Sequence, residues 1–154
     1  MAVKPVPDGY HTATPYLLVE NADALLDFVQ RAFGARMDHV MRNPDGAVMH
    51  ADFVIGDSHI MVGQASGSWK PLQGSIYLYV PDCDATYRQA LDAGGTSIMP
   101  PATMFYGDRH GGVTDPCGNQ WWMATHVEDV PEDELKRRHD EYAKTRSTAA
   151  TADA

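Results

Sequence analysis

The segment PYLLVENADALLDFVQRAFGA (residues 15–35) indicates the fold, because a related segment occurs later in the same chain. IYLYVPDCDATYRQALDAGGT (residues 76–96) aligns with it without a gap. Further on, IGDSHIMV (residues 55–62) corresponds in the same order to CGNQWWMA (residues 117–124). A strand, a helix and a later hairpin that recur in one order predict two copies of one supersecondary unit. Each copy is too small to bury a sizeable core alone, so we expect the two to pack together with a pocket between them.

The first copy predicts the element order β-α-β-β-β. Its helix follows Asn21, a residue that commonly caps helix N-termini, and ends at Gly34, which suits the left-handed conformation found there. Turn-forming residues at 44–46 and 56–57 separate the last three strands. The predicted strands are residues 12–19, 36–42, 47–55 and 58–63.

The second copy predicts the same order. Its helix begins at Asp82 or Cys83 and ends at a pair of glycines. The strand after that helix is expected to stop at Pro100, because proline has no N–H to donate to a sheet. Residues 104–110 are expected to form a longer loop. The predicted strands are residues 75–80, 96–99, 111–115 and 120–125.

The length of 154 residues fits a single domain, residues 1–130, followed by a C-terminal helix. Pro131 suits the first position of that helix, and acidic residues in its first turn complement the helix dipole. The last residues have little apolar surface to bury, which predicts a flexible tail. The expected parts are module 1 at about residues 10–64, a linker at 65–74, module 2 at about 75–126, a helix at 131–145 and a tail at 146–154.

The composition argues against several classes of function. A formal net charge of −9 at pH 7 disfavours binding to the phosphate backbone of nucleic acids. Cys83 and Cys117 are too few to form a disulfide framework. No apolar run approaches the ~18 residues of a membrane span, and the N-terminal residues contain no apolar signal segment. We therefore expect a cytoplasmic protein without disulfides that binds neither nucleic acid nor membrane.

Three segments carry a resemblance to a known superfamily. They are TPYLLVENADALLDFVQRAFGA (residues 14–35), MHADFVIGDSHIMV (residues 49–62) and YGDRHGGVTDPCGNQWWMATHVEDV (residues 106–130). Together they resemble the vicinal oxygen chelate superfamily, which includes glyoxalase I, extradiol dioxygenases, fosfomycin-inactivating enzymes and bleomycin-binding resistance proteins. Within it, they are most similar to the PhnB-like branch. The resemblance implies an α+β fold in which two tandem β-α-β-β-β modules form curved sheets around a small-molecule cavity, with helices on the convex side.

The resemblance also implies where a metal would bind. Metal-dependent members hold a divalent ion with His or Glu at fixed positions on the first and last strands of each module. The corresponding residues here are Thr14, Ile60, Ser75 and Trp122. None of them is a usual ligand for zinc, nickel or iron, so we expect no metal cofactor. An unorthodox metal site built from His11, His50 and His126 is the alternative.

His50 and Asp52 are the candidate catalytic residues. Strand alternation places both on the cavity face of the third strand, with Val48 and Val54. The residues expected to face the helices are Met49, Ala51, Phe53 and Ile55. A histidine beside a carboxylate in a cavity can act as a general base or orient a ligand. The alternative is that both groups satisfy internal hydrogen bonds. His59 is expected on the opposite face, toward the helices or solvent.

Aromatic residues and one loop are the other candidates for ligand binding. Tyr16, Tyr77, Tyr79 and Trp122, with Trp69 in the linker, either line the cavity or form ordinary core. Residues 104–110 are either a lid, in which Tyr106 and Arg109 address an anionic or planar ligand, or a turn held by local hydrogen bonds. The predicted ligand-binding residues are Thr14, Tyr16, His50, Ile60, Ser75, Tyr77, Tyr79, Tyr106, Arg109 and Trp122.

Two functions remain open at the level of sequence. The first is a metal-independent small-molecule binding protein of the resistance type, with an aromatic-lined cavity. The second is an enzyme: either a glyoxalase- or dioxygenase-like catalyst with a non-standard metal site, or a metal-free acid–base catalyst that uses His50 and Asp52. The resemblance implies a homodimer, because members of this superfamily often complete their pockets across a dimer interface.

Overall fold

The computed structural model describes residues 3–152, with side chains described for residues 3–146. Both predicted modules are present. Module 1 contains β1 (Tyr16–Val19), α1 (Ala22–Phe33), β2 (Arg36–Arg42), β3 (Val48–Ile55) and β4 (Ser58–Gln64). Module 2 contains β5 (Ser75–Tyr79), α2 (Cys83–Asp92), β6 (Thr96–Thr103), β7 (Asp108–Thr114) and β8 (Gln120–His126). The last element is α3 (Glu132–Ala152).

The two modules have the same sheet topology. Their strand orders are β1-β4-β3-β2 and β5-β8-β7-β6. In each sheet the first strand runs parallel to the last, and the remaining neighbours are antiparallel. Within the described residues neither sheet closes into a barrel. The predicted α+β fold of two tandem β-α-β-β-β modules is therefore confirmed.

One hydrophobic core contains residues of both modules. The helix α1 packs against α2, and Phe33 of α1 contacts Trp121 of β8 with 5.0 Å between ring centroids. Each sheet presents one face to this core. We call the opposite face of each sheet its open face. Strand register places Tyr16, Met61 and Asp52 together on the open face of the first sheet.

Local capping signals explain where the two inner helices begin and end. The Asn21 side chain accepts a hydrogen bond from the backbone N–H of Ala24 at 2.9 Å. Gly34, with a φ of 64°, ends α1 in the left-handed conformation that glycine adopts most easily. In module 2, Asp82 caps α2 by accepting from the N–H of Ala85 at 2.9 Å. These predicted boundaries are confirmed.

The strand expected to stop at Pro100 continues to Thr103, so that prediction is wrong. The strand β6 lies at the edge of its sheet and pairs only with β7. A register shift between Met99 and Ala102 places Pro100 and Pro101 in an irregular part of the ladder, where a missing N–H costs little. The next strand begins earlier than expected, at Asp108. The predicted 104–110 loop is therefore a short hairpin turn.

The start of β3 also departs from simple alternation. A register shift lies between Met41 and Arg42, opposite this part of the strand. As a result Val48 is fully buried, and its N–H donates to Asp23 at 2.9 Å, whereas Met49 is 43% exposed. The expected faces of Val48 and Met49 are therefore wrong.

The third helix continues past residue 145, where the sequence predicted its end, and reaches Ala152. Alanine has the strongest helix propensity of all residues, which favours this extension. The last two residues of the predicted tail, 153–154, lie outside the described residues. None of the helices within residues 3–152 combines the length and the apolar character needed to cross a membrane.

Candidate functional site

A pocket of about 750 Å³ lies over the open face of the first sheet, and we call it the first-sheet pocket. The strands β1, β3 and β4 supply its floor, and the linker between the modules supplies one wall. Its lining residues are Tyr16, Leu18, Met49, His50, Gly63, Gln64, Ser68, Trp69, Lys70 and Leu72. The sequence predicted a cavity between the modules. This pocket is lined by module 1 and the linker alone, whereas residues of both modules line two other pockets, of about 640 and 210 Å³.

Backbone hydrogen bonds hold the linker wall in place. Ser66 and Trp69 exchange two of them, at 3.0 and 2.9 Å, which closes a tight turn. The N–H of Leu72 then donates to the carbonyl of Leu18 on β1 at 2.9 Å. This pairing positions Trp69, which is 73% exposed, beside the sheet.

The pocket floor is aromatic because Gly63 leaves room for a tyrosine ring. A Cβ placed on Gly63 would collide with the hydroxyl oxygen of Tyr16. The Tyr16 ring lies nearly parallel to the His50 imidazole, with 5.8 Å between centroids. An imidazole therefore forms part of an otherwise mostly apolar surface.

His50 and Asp52 form a pair at this floor, as the sequence predicted from their spacing. The distance from His50 Nε2 to Asp52 Oδ1 is 3.4 Å, which is longer than a strong hydrogen bond. Asp52 is only 9% exposed, and within residues 3–146 its Oδ1 has no hydrogen-bond partner. A proton on Nε2 would face this carboxylate and leave Nδ1 of His50 as an acceptor.

The N-terminal segment covers the other end of this open face. Tyr10 stacks on His59 with 4.1 Å between ring centroids. Burial, followed by the nearby Asp52 carboxylate, raises the pKa of Tyr10. The register pairs His59 with Val54, so His59 lies on the same face as Asp52 and not on the opposite face, toward the helices or solvent, where the sequence predicted it. The N-terminal segment thus shields the region around Asp52 from solvent.

The open face of the second sheet holds a separate polar cluster around Asp108. The hydroxyls of Tyr77 and Tyr79 donate to Asp108 Oδ2 at 3.2 and 3.1 Å, and His126 Nδ1 lies 2.8 Å from Oδ1. Burial alone would raise the pKa of Asp108, but hydrogen bonds from His126 and both tyrosines outweigh it and lower the pKa. The hydrogen bond to Asp108, and then that to Asp129, raises the pKa of His126.

His110 occupies the aromatic part of the second open face. Its Nε2 lies 3.1 Å from the Tyr106 hydroxyl, and its ring contacts Tyr77 and Trp122 at centroid distances of 5.7 and 5.6 Å. Burial lowers the pKa of His110, which favours the neutral imidazole. A Cβ on Gly112 would lie 2.6 Å from the Trp122 ring, so glycine is needed for that ring to lie against β7.

A family model of the glyoxalase/bleomycin resistance protein/dioxygenase superfamily matches residues 10–123. The chain belongs to this superfamily. An uncharacterised protein of Mycobacterium tuberculosis is 33% identical over 134 residues, which cover 80% of this chain and 79% of that protein. An uncharacterised protein of Mycobacterium bovis is also 33% identical over 134 residues, and the match covers 80% of this chain and 88% of that protein.

Solved structures show the same superfamily fold. TioX from Micromonospora has a TM-score of 0.64 at 23% identity, covering 75% of this chain and 99% of TioX. A PhnB protein from Bacillus cereus, described as a putative demethylubiquinone methyltransferase, has a TM-score of 0.61 at 19% identity, with the same coverage of each chain. At these identities the similarity concerns the fold alone.

The residues at the superfamily's usual metal positions do not fit a divalent ion. Ile60 is 2% exposed, lies on the face opposite Tyr16 and does not line the first-sheet pocket. Thr14 and Ser75 carry only hydroxyl groups, and Trp122 carries an indole. Among the described residues, no group of three or more His, Cys, Asp or Glu side chains is placed to hold a metal. The predicted trio His11, His50 and His126 is therefore not brought together.

Arg109 does not lie in a lid, which was one of the two interpretations of residues 104–110. It lies within β7, and its Nε and one terminal nitrogen donate to the two carboxylate oxygens of Asp84 on α2 at 2.6 and 2.7 Å. This pair directs the guanidinium toward the helix side of the sheet. Of the loop residues singled out from sequence, only Tyr106 reaches an open face.

Sequence reasoning missed Lys70 as a lining residue, and it missed Asp108 and His110 as members of the second cluster. The signal for the second pair was available, because an Asp and a His two residues apart on a strand share one face, as His50 and Asp52 do. The predicted loop over residues 104–110 excludes such alternation, whereas the observed strand β7 begins at Asp108.

Proposed function

We propose that this superfamily member binds a planar small molecule in the first-sheet pocket and does so without a metal. The observation that carries the proposal is that Tyr16, Trp69 and Leu72 line one cavity and remain largely exposed. Large apolar side chains in a concave site gain free energy when a ligand removes them from water. Aromatic rings pack well against other rings, which favours a flat ligand.

Isothermal titration calorimetry with a panel of planar aromatic compounds tests the proposal. Trp69→Ala removes an aromatic wall and should weaken binding about ten-fold, since an aromatic contact and its buried area contribute ~1–2 kcal/mol. Tyr142→Ala, which removes an exposed ring on α3 outside the pocket, is the matched control and should bind as the wild type does. Equal affinity of all three proteins would contradict the proposal.

The metal-free part of the proposal has its own test. The non-ligand residues at the usual metal positions support it. Elemental analysis of the purified protein should find no divalent metal near one equivalent, and a chelator should leave ligand affinity unchanged. A stoichiometric metal that is lost in His50→Ala would overturn this part.

A second candidate function is metal-free acid–base catalysis by His50, with Asp52 holding the imidazole. The 3.4 Å contact and the otherwise unpartnered Asp52 oxygen support it. A bound compound with an acidic C–H should then exchange that hydrogen with deuterated water. His50→Gln should abolish the exchange and Asp52→Asn should slow it at unchanged affinity, whereas equal exchange rates in all proteins would exclude the candidate.

We also propose that the chain forms a homodimer through its open faces. Tyr16 is 53% exposed and Tyr79 is 68% exposed, and exposed aromatic surface of this kind is typical of interfaces. Sedimentation velocity should give the mass of two chains, and Tyr79→Asp should shift the equilibrium toward one. A single-chain mass at every concentration would contradict the dimer.

Assignment to the PhnB-like branch and to the cytoplasm belongs to the same proposal. Similarity to the Bacillus cereus PhnB protein supports the branch. The free thiols of Cys83 and Cys117 suit a reducing compartment. Fractionation of the native host tests the location, and recovery in a secreted or membrane fraction would contradict it.

A further inference from the structure

Lys70 brings a positive charge to the first-sheet pocket, and no carboxylate among the described side chains pairs with it. Among residues 3–146, Lys70 takes part in none of the ion pairs, whereas Arg31 and Arg42, also in or near module 1, each pair with an aspartate. Lys70 follows Trp69 on the linker wall and lines the pocket with it. A cation left unpaired beside an apolar surface is available to a ligand.

The pocket lining contains no carboxylate. Asp52 contacts His50 but is 9% exposed and does not line the pocket. Glu20 lies in a neighbouring groove that Lys70 also lines, but the two form no ion pair within 4.0 Å. His50 and Lys70 are therefore the nitrogen-bearing ionisable groups of the pocket.

The local charge is opposite to that of the protein as a whole. The chain carries a net charge of −9, which repels anions at long range. A neutral or cationic ligand would require no cation at this wall. An anionic ligand does require one, because only a short-range partner offsets the long-range repulsion.

We propose that the ligand of the first-sheet pocket is a planar aromatic acid. Its ring packs on Tyr16 and Trp69, and its anionic group pairs with Lys70. This inference rests on the proposed function, since it assigns a chemical class to the ligand of the same pocket.

Two fluorescent probes that differ by one anionic group provide the test. Anilinonaphthalene sulfonate carries a sulfonate, and phenylnaphthylamine has the same ring system without it. The wild-type protein should bind both and should bind the sulfonate about three- to five-fold more tightly, which is the range of a partly exposed ion pair. Lys70→Met should remove this preference without weakening the neutral probe, and added salt should reduce it in the wild type.

Lys136→Met is the matched control, because it removes the same charge from α3 outside the pocket lining. It should keep the preference for the sulfonate. If the neutral probe binds but the sulfonate gains nothing, or if Lys70→Met keeps the preference, the inference fails while the proposed function stands. If neither probe binds, and Trp69→Ala also leaves the affinity for the planar aromatic compounds of the calorimetric panel unchanged, the inference and the proposed function both fail.

Discussion

Replacing Asp115 with asparagine tests the turn that leads into β8, the strand that carries Trp121 and Trp122. The Asp115 carboxylate is buried. Its Oδ1 accepts hydrogen bonds from the backbone N–H groups of Cys117 and Asn119 at 2.7 and 3.0 Å. Its Oδ2 accepts from the Asn119 amide and from the Trp121 indole at 2.9 and 2.8 Å. Four donors thus converge on one carboxylate.

Asparagine has the same shape but only one acceptor oxygen. Its amide nitrogen would face two of the four donors, so two hydrogen bonds to a charged group are lost. Each is worth ~1.5–3 kcal/mol, so the free energy of unfolding should fall by about 3 to 6 kcal/mol. For a chain of this size, that loss lowers the Tm by about 6 °C or more.

Denaturant unfolding followed by tryptophan fluorescence measures this loss. Asp92→Asn is the control, because Asp92 is exposed at the end of α2, and its substitution should change the unfolding free energy by less than about 0.5 kcal/mol. A loss below about 1 kcal/mol for Asp115→Asn would refute the hydrogen-bond account of this turn.

Three further predictions concern the two open faces. His126 has a raised pKa, so its ion pairs contribute full stability below the ordinary histidine pKa and lose it as the pH rises through the raised folded value; an NMR titration of its imidazole with an ordinary midpoint would disprove this. Gly63→Ala should displace Tyr16 and weaken ligand binding about ten-fold by calorimetry. The same change in a Tyr16→Ala background should then have little further effect, and additive losses would exclude the steric cause. Gly112→Ala should force Trp122 off β7 at a cost of ~1–3 kcal/mol in unfolding free energy, and an unchanged Trp emission spectrum would count against it.

The sequence predicted features that depend on local signals. Asn21 and Gly34 bound α1 because a side-chain cap and a left-handed glycine act within a few residues. The repeat predicted the same order of elements in both modules for a similar reason, since two copies of one pattern fold in the same way. The His50–Asp52 pair followed from strand alternation alone.

The features that the sequence did not predict depend on contacts between distant segments. The strand β6 passes through two prolines because it lies at a sheet edge, which the proline positions do not reveal. Ile60 and His59 each lie on the face of β4 opposite to the expected one. A shift of one residue in aligning a strand places every side chain on the other face. Lys70 reaches the pocket because Leu72 pairs with Leu18, a contact that joins the linker to β1.

The central claim is that a planar ligand occupies the first-sheet pocket, and the indole N–H signals of the three tryptophans test it most directly. Trp69 lines the pocket, Trp122 lies on the second open face, and Trp121 is buried with its N–H bound to Asp115. In an NMR titration with a bound aromatic acid, the Trp69 signal should shift and the Trp121 signal should remain in place. A shift of Trp122 with an unchanged Trp69 would contradict the claim and assign the ligand to the second sheet.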